Sequence, residues 1–268
     1  MRTVRVVTLN IWNQSGPWVE RLKGIRAGLQ ELVPDFVGLQ EVLRPNGGEA
    51  PDQARQIAEG LGYQIAYGAA FDSGGIEFGN AALSRFPIRR SEVFPLPKMD
   101  TDESRCLLFA ELDAPIGPVP FFVTHLNWRF HEGHVRQTQV KAIAEHIKVL
   151  APIHGFPPVV VGDFNAAPEA DEVRFMKGLC SLGGESVYFA DTFGIVGRGD
   201  GTTFSRHNPF ASDLREPNRR IDYIFVRGPD ARGRGEPLDA HVCFDRPIDG
   251  VYPSDHFGVS ATIRAEVG

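Results

Sequence analysis

Pro157-Pro158-Val159-Val160-Val161-Gly162-Asp163-Phe164-Asn165 decides the reading of this chain. A β-branched run behind paired prolines describes a short strand buried on both faces. The strand breaks at Gly162 and then presents Asp163 and Asn165. Alternate residues of an extended chain point the same way, so these two side chains project together from the strand end. Ala166-Ala167-Pro168-Glu169 reads as a turn into a helix. A carboxylate and an amide at the mouth of a rigid sheet can hold and deprotonate a water beside a phosphate oxygen or a metal. The same pair can equally be a helix cap and a turn residue. The rest of the chain decides between the two.

Working outward, strand patterns fall at Val4–Leu9, Phe36–Gln40, Gln64–Ala66, Ala81–Ser84, Ser91–Phe94 and Cys106–Leu112. They continue at Val119–His125, Val159–Gly162, Ile221–Val226, Ala240–Phe244 and Phe257–Ile263. Helical patterns fall at Val19–Leu32, Asp52–Leu61, Val135–Val149 and Glu169–Leu179. Val140, Ile143, Ala144 and Ile147 recur at helical spacing and mark one buried face. Gly60 and Gly62 read as the stop of the second helix. Strands and helices alternate early, and strands follow one another later, which predicts a mixed α/β layered fold with antiparallel pairing. Arg44–Pro51, Arg198–Gly201 and Gly228–Pro237 are rich in Gly, Pro and charge, but each is short enough for a surface loop. No internal repeat stands out. The expectation is a single domain over residues 1–268.

The totals narrow the class. With 268 residues the chain can bury a large core. No apolar run approaches the length of a membrane helix, and Met1-Arg2-Thr3 leads directly into a strand pattern without the plan of a signal peptide. Cys106, Cys180 and Cys243 are far apart and in no metal-binding spacing, so they read as buried thiols in a reducing, cytoplasmic setting. A net charge of −6 argues against a protein that coats nucleic acid through a basic face. It leaves room for an enzyme that grips a few phosphates, and it suits a carboxylate-lined metal site.

Polar residues recur where strands stop. Asn10 ends the first, Gln40-Glu41 the second, and Thr124-His125-Leu126-Asn127 the strand before the long helix. Asp163 and Asn165 end the opening stretch, and Arg220-Ile221-Asp222-Tyr223 and Ser254-Asp255-His256-Phe257 follow. Each alone has an ordinary explanation as a turn, a cap or a satisfied core group. Together they place acids, amides and imidazoles at strand ends, which sheets commonly gather at one rim. No serine or cysteine sits in a nucleophile elbow. Gly47-Gly48 and Gly74-Gly75 lack the lysine and helix of a phosphate loop. Oxygen ligands such as Glu41 and Asp255, without thiolates, favour Mg²⁺ or Mn²⁺ over Zn²⁺. The combination suits hydrolysis of a phosphate ester with water as nucleophile.

In this order the motifs resemble those of the endonuclease/exonuclease/phosphatase superfamily, the DNase I-like fold. Phe78-Gly79-Asn80-Ala81-Ala82-Leu83-Ser84-Arg85-Phe86-Pro87-Ile88 resembles a further segment common there. The resemblance implies a four-layer α/β/β/α sandwich with two mainly antiparallel sheets face to face, and divalent-metal phosphoesterase activity. Carried over position by position, it makes Glu41 the principal metal ligand, with Asn10 and Asp255 beside it. Asp163 orients or deprotonates the water, and Asn165 holds that water or a phosphate oxygen. His256 bonds the scissile phosphate with Asp222 behind it, and His125 is a second phosphate-facing imidazole. Arg105 and Asn127 stand on the phosphate-binding side, and Glu77 supports His125.

The expected function is therefore a Mg²⁺- or Mn²⁺-dependent phosphoric ester hydrolase, a nuclease or nucleotide-directed phosphodiesterase. One alternative is the same chemistry on a small phosphorylated metabolite or lipid head group. Another is a non-catalytic binding protein on this fold, which the complete motif set disfavours. His125 departs from the apurinic-site endonucleases of the superfamily. Trp12, Trp18, Trp128 and Phe130 lie near the motifs and can flank a substrate or pack the core. His131 and His134 read as exposed imidazoles at a helix start. The partners implied are a phosphate-ester substrate, nucleic acid among the candidates, with no membrane anchor and no protein partner.

Overall fold

The computed structural model describes residues 2–46, 52–151, 153 and 155–266. In chain order the first half contains β1 (Arg2–Asn10), α1 (Trp18–Leu32), β2 (Phe36–Pro45), α2 (Gln53–Ala58), β3 (Gln64–Ser73), β4 (Ile76–Ser84), β5 (Ile88–Pro95), β6 (Cys106–Ala114) and β7 (Gly117–His125). The second half contains α3 (Gly133–Leu150), β8 (Val159–Asp163), α4 (Asp171–Met176), β9 (Ala190–Asp191), α5 (Thr192–Val196), α6 (Pro209–Ser212), β10 (Asp222–Val226), β11 (Pro237–Cys243) and β12 (Gly258–Glu266).

The strands form two six-stranded sheets, ordered β11-β12-β1-β2-β4-β3 and β5-β6-β7-β8-β10-β9. Each is built around one parallel crossover, β1-α1-β2 in the first and β7-α3-β8 in the second. The remaining ladders are antiparallel. Val6, Phe36, Phe121, Val161, Ile224 and Val259 fill the space between the sheets. Gly38 marks a close approach there: a Cβ on it would lie 2.2 Å from Val161 Cγ2. Ile25 and Leu29 of α1 and Ile57 of α2 cover the outer face of the first sheet. Val140, Ile143, Ala144 and Ile147 of α3, with Phe175 of α4, cover the second. Each fully buried aliphatic or aromatic side chain contributes roughly 1.5–3 kcal/mol, so the fold is an α/β/β/α sandwich held by three apolar layers.

Every strand and helix expected from sequence is present, most with an extra residue or several at the ends. Asp52 is the N-cap of α2 rather than its first residue, its Oδ1 accepting from the Arg55 amide at 2.6 Å. Gly60 and Gly62 follow that helix with φ of 69° and 77°. Gly74-Gly75 is the tight turn joining β3 to β4, while Gly47-Gly48 and the end of the Arg44–Pro51 loop lie outside the described residues. Cys106 and Cys243 are buried, but Cys180 is only half-buried. Among the described residues no helix is long and apolar enough to cross a membrane.

Candidate active site

Strand register brings the polar strand ends together. Asn10 lies opposite Gln40 in the parallel β1/β2 pair, and His125 lies opposite Asp163 in the parallel β7/β8 pair. Asp222 begins β10 antiparallel to β8 and also faces Asp163. Asp255 and His256 precede β12, which runs antiparallel to β1. One rim of both sheets therefore carries the candidate residues.

Glu41 reaches this rim through a β-bulge. The β2/β4 register shifts between Leu39 and Val42, and Glu41 has φ of 59°. Bulges re-aim side chains at sheet rims. Trp12, Asn13 and Asn165 also sit in left-handed backbone, with φ of 54°, 40° and 50°. The turn at Asn165 puts its amide N–H on Asp163 Oδ1 at 2.8 Å.

Asn10 joins the two sheets. Its Nδ2 donates to Glu41 Oε1 at 3.2 Å and to Asp163 Oδ2 at 3.1 Å, while its Oδ1 accepts from the Trp12 amide at 3.0 Å. Asn13 Nδ2 donates to Glu41 Oε2 at 2.9 Å. Asp163 Oδ2 also lies 3.4 Å from His125 Nε2 and 3.7 Å from His256 Nε2. His256 Nδ1 is bonded to Asp222 Oδ2 at 3.0 Å. Ser254 Oγ bridges the Asn10 carbonyl, at 2.6 Å, and Asp255 Oδ1, at 3.2 Å.

The electrostatics separate the two histidines. Burial opposes charge on His256, but Asp222, Asp163 and Asp255 outweigh it and hold the ring well above the usual histidine value. Burial holds His125 well below that value, with help from Arg105 and His256. Its ring nitrogens face two donors, Arg105 Nη1 at 3.0 Å and Asn165 Nδ2 at 3.1 Å, which disfavours adding a proton. These surroundings favour the charged form of His256 and the neutral form of His125. Burial and the charge of Asp222 push the Asp163 carboxyl up to about 7, against the pull of His256 and the Asn10 amide. Burial pushes Asp255 up to about 6, with His256 pulling against it and Glu41 adding to it.

Buried carboxylates with raised pKa values are short of positive charge. The donor set of Glu41 and Asp255, with Asp163 tied to Glu41 through Asn10, is all hard oxygen and fits Mg²⁺ or Mn²⁺. Asp163, Asp222 and His256 also form a buried group whose ligand atoms lie within 4.8 Å of one another. A protonated His256 bonded to Asp222 is a poor ligand, so the Glu41 and Asp255 side suits a cation better.

These side chains line a cleft of about 270 Å³ whose outer walls are Trp12, Trp128, Phe204, Leu214 and Arg219. A larger cavity of about 800 Å³, between α3 and residues 185–189, shares none of its lining residues. The strand-end acids and imidazoles line the smaller of the two.

Of the residues singled out from sequence, Glu41, Arg105, His125, Asp163, Asn165, Asp255 and His256 line the cleft, with Asn10 and Asp222 bonded directly behind them. Asn127 does not line it. Its side chain is fully buried and committed to Glu132 at 2.9 Å, Thr101 at 3.3 Å and Gln139 at 2.7 Å, because the chain turns inward toward α3 after Leu126. Glu77 does not support His125: β4 places it opposite Arg44, to which it bonds at 2.6 Å. His131 and His134 are exposed. Three supporting residues carried no sequence signal. Thr203 Oγ1 accepts from the Ile221 and Asp222 amides at 3.1 and 3.2 Å. Asn208 Nδ2 donates to the carbonyls of Ser254, at 2.7 Å, and Asp255, at 3.1 Å. Arg21, on α1, is fully buried behind Glu41 and Asp255.

Comparison with known proteins agrees with this fold. Curated proteins yield no match by sequence. Among solved structures, an endonuclease/exonuclease/phosphatase from Beutenbergia cavernae is similar with a TM-score of 0.74 and 24% identity, over 98% of this chain and 72% of that one. D. rerio TDP2, complexed with a single strand DNA product, is similar with a TM-score of 0.79 and 20% identity, over 98% and 100%. An endonuclease/exonuclease/phosphatase from Bacteroides vulgatus is similar with a TM-score of 0.75 and 21% identity, over 98% and 99%. The model of the Endonuclease/Exonuclease/phosphatase family matches residues 7–256. With the sandwich and the strand-end rim in place, the chain belongs to the endonuclease/exonuclease/phosphatase family.

Proposed function

We propose that this protein is a divalent-metal-dependent hydrolase of a phosphodiester, acting by direct water attack on a nucleic acid or a nucleotide-derived ester. The observation that carries this reading is the position of Asp163, whose Oδ2 lies within 3.1–3.7 Å of Asn10, His125 and His256. A carboxylate with a pKa near the operating pH is suited to take a proton from water.

Glu41 and Asp255 would hold Mg²⁺ or Mn²⁺, with Asn10 spacing Glu41 from Asp163. Such a cation, when bound, supplies positive charge against the phosphate. The chain's own residues do the rest. Asp163, fixed by the Asn165 amide, orients and deprotonates the water. His256 keeps its Nδ1 on Asp222 and presents Nε2–H to a phosphate oxygen. Arg105 adds a second fixed cation beside His125, whose ring Asn165 Nδ2 holds from the other side. Donors already in place where charge develops need no reorganisation during reaction. The buried thiols Cys106 and Cys243 suit a reducing, cytoplasmic setting.

A second reading, the same chemistry on a small phosphorylated metabolite or lipid head group, draws on the modest volume of the cleft, about 270 Å³, and on the net charge of −6. The test uses purified enzyme with Mg²⁺ or EDTA on oligonucleotides and bis-p-nitrophenyl phosphate. Glu41→Ala and His256→Ala are each expected to lower turnover by about a hundredfold or more. Near-wild-type turnover in both variants overturns the proposal, and intact polynucleotides beside a hydrolysed small ester select the second reading.

A further inference from the structure

The reaction cleft opens into a second one. Glu41, Arg105 and Trp128 line both, and the second has a volume of about 480 Å³. Its far wall is Phe71 and Phe78, stacked with ring centroids 5.1 Å apart and planes 19° apart. The two are cross-strand partners on β3 and β4, just past a register shift between Ala69 and Phe71. The wall is therefore carried by a sheet and not by a loop. Arg129 completes the lining, its guanidinium 5.6 Å from the Trp128 ring.

On this surface aromatic rings face water beside the exposed Asp102. Phe71 is 40% exposed and Trp128 is 50% exposed, beside a site dominated by charge. Its cations are already matched. Arg105 pairs with Glu103, and Arg129 pairs with Asp102 at 3.1 Å, with Glu41 at the junction. Flat rings with a neutralised floor receive an aromatic group well and a further phosphate poorly.

Resting on the phosphoesterase reading above, we propose that this second cleft seats one ester substituent, and that the substrate is a phosphodiester bearing an uncharged planar aromatic group there. A monoester has a single organic arm and leaves one of the two clefts empty, whereas a diester fills both. Phe71 and Phe78 then set specificity for the second arm away from the phosphorus chemistry, with Trp128 shared by both clefts.

The test is binding, read apart from turnover. Methyl phenyl phosphate and dimethyl phosphate are titrated calorimetrically into the full chain with Mg²⁺, and hydrolysis of bis-p-nitrophenyl phosphate is followed separately. Methyl phenyl phosphate is expected to bind about tenfold more tightly, the usual size of one stacking contact. Phe71→Ala and Trp128→Ala are each expected to reduce that ratio to about twofold or less while the melting temperature stays close to wild type, since both side chains are partly exposed. Equal affinities in the wild type, or a ratio unchanged in both variants, overturns the proposal. A tenfold ratio without ester hydrolysis supports the second cleft and counts only against the catalytic reading.

Discussion

Arg21 Nη1 donates to the Pro253 carbonyl at 3.1 Å, tying the first helix to the segment that delivers Asp255 and His256. The same guanidinium donates to the carbonyls of Ile11, at 2.6 Å, Trp12, at 3.3 Å, Asn13, at 2.8 Å, and Ser15, at 2.9 Å. Burial lowers its pKa to about 10, while Asp255 and Glu41 pull it back up. Arg21→Met leaves several buried carbonyls without donors, so a loss of about 3 kcal/mol or more in unfolding free energy is expected. Urea denaturation measures it, and a change under about 1 kcal/mol would show that the loops hold themselves.

Gly162 is fixed by its neighbour strand. A Cβ there would lie 2.0 Å from the Thr124 carbonyl oxygen, which is backbone and cannot step aside. Gly162→Ala is expected to push β8 away from β7 and to displace Asp163. Activity on bis-p-nitrophenyl phosphate should fall by about tenfold or more at a temperature where circular dichroism shows the variant still folded. Full activity in the folded variant contradicts the close approach.

Asp222→Asn removes the negative charge that most raises the His256 pKa. With only Asp163 and Asp255 left to oppose burial, the pKa drops. A raised histidine loses its proton as pH climbs through the folded value, so the basic limb of the pH–rate profile should move to lower pH. Turnover at the optimum should fall by about a hundredfold. A basic limb that stays where it is in the variant excludes His256 as the group responsible.

Cation binding is expected to compete with protons. Burial, with the neighbouring acids, pushes Asp163 up to about 7 and Asp255 up to about 6. Both are raised, so both carry protons below those values and must release them when a cation needs carboxylates. Mg²⁺ affinity should therefore weaken as pH falls from 7 to 5, approaching tenfold per pH unit below about 6, where Asp255 takes up its proton. Titration calorimetry in buffers of different ionisation heat counts the protons. No proton release at pH 6 would place the ion away from these acids.

The rim was legible in sequence because each of its members sits at the end of an apolar run, and a strand's end is where its side chains escape the core. Asp163 and Asn165 carried the most information, yet they meet through the left-handed turn at Asn165 and not through the strand alternation expected from sequence. Asn127 misled because it stands two residues past His125, yet the backbone turns at Leu126 and buries it against Gln139. Glu77 misled for a different reason: its partner, Arg44, is set by strand pairing between distant segments. Arg21 was invisible because an arginine on an amphipathic helix reads as solvent-facing, and only the packed loops reveal five carbonyls around it. The short elements β9, α5 and α6 lack enough residues to establish a period.

Glu41 sits at φ 59°, a backbone state that costs a side-chain-bearing residue about 1 kcal/mol or more and costs glycine nothing comparable. Glu41→Gly would relax that torsion while giving up the bonds Glu41 accepts from Asn10 and Asn13. The torsion that strains the chain is also the one that aims the acid, so a descendant relaxed at position 41 should be inert whatever ease of folding it gains.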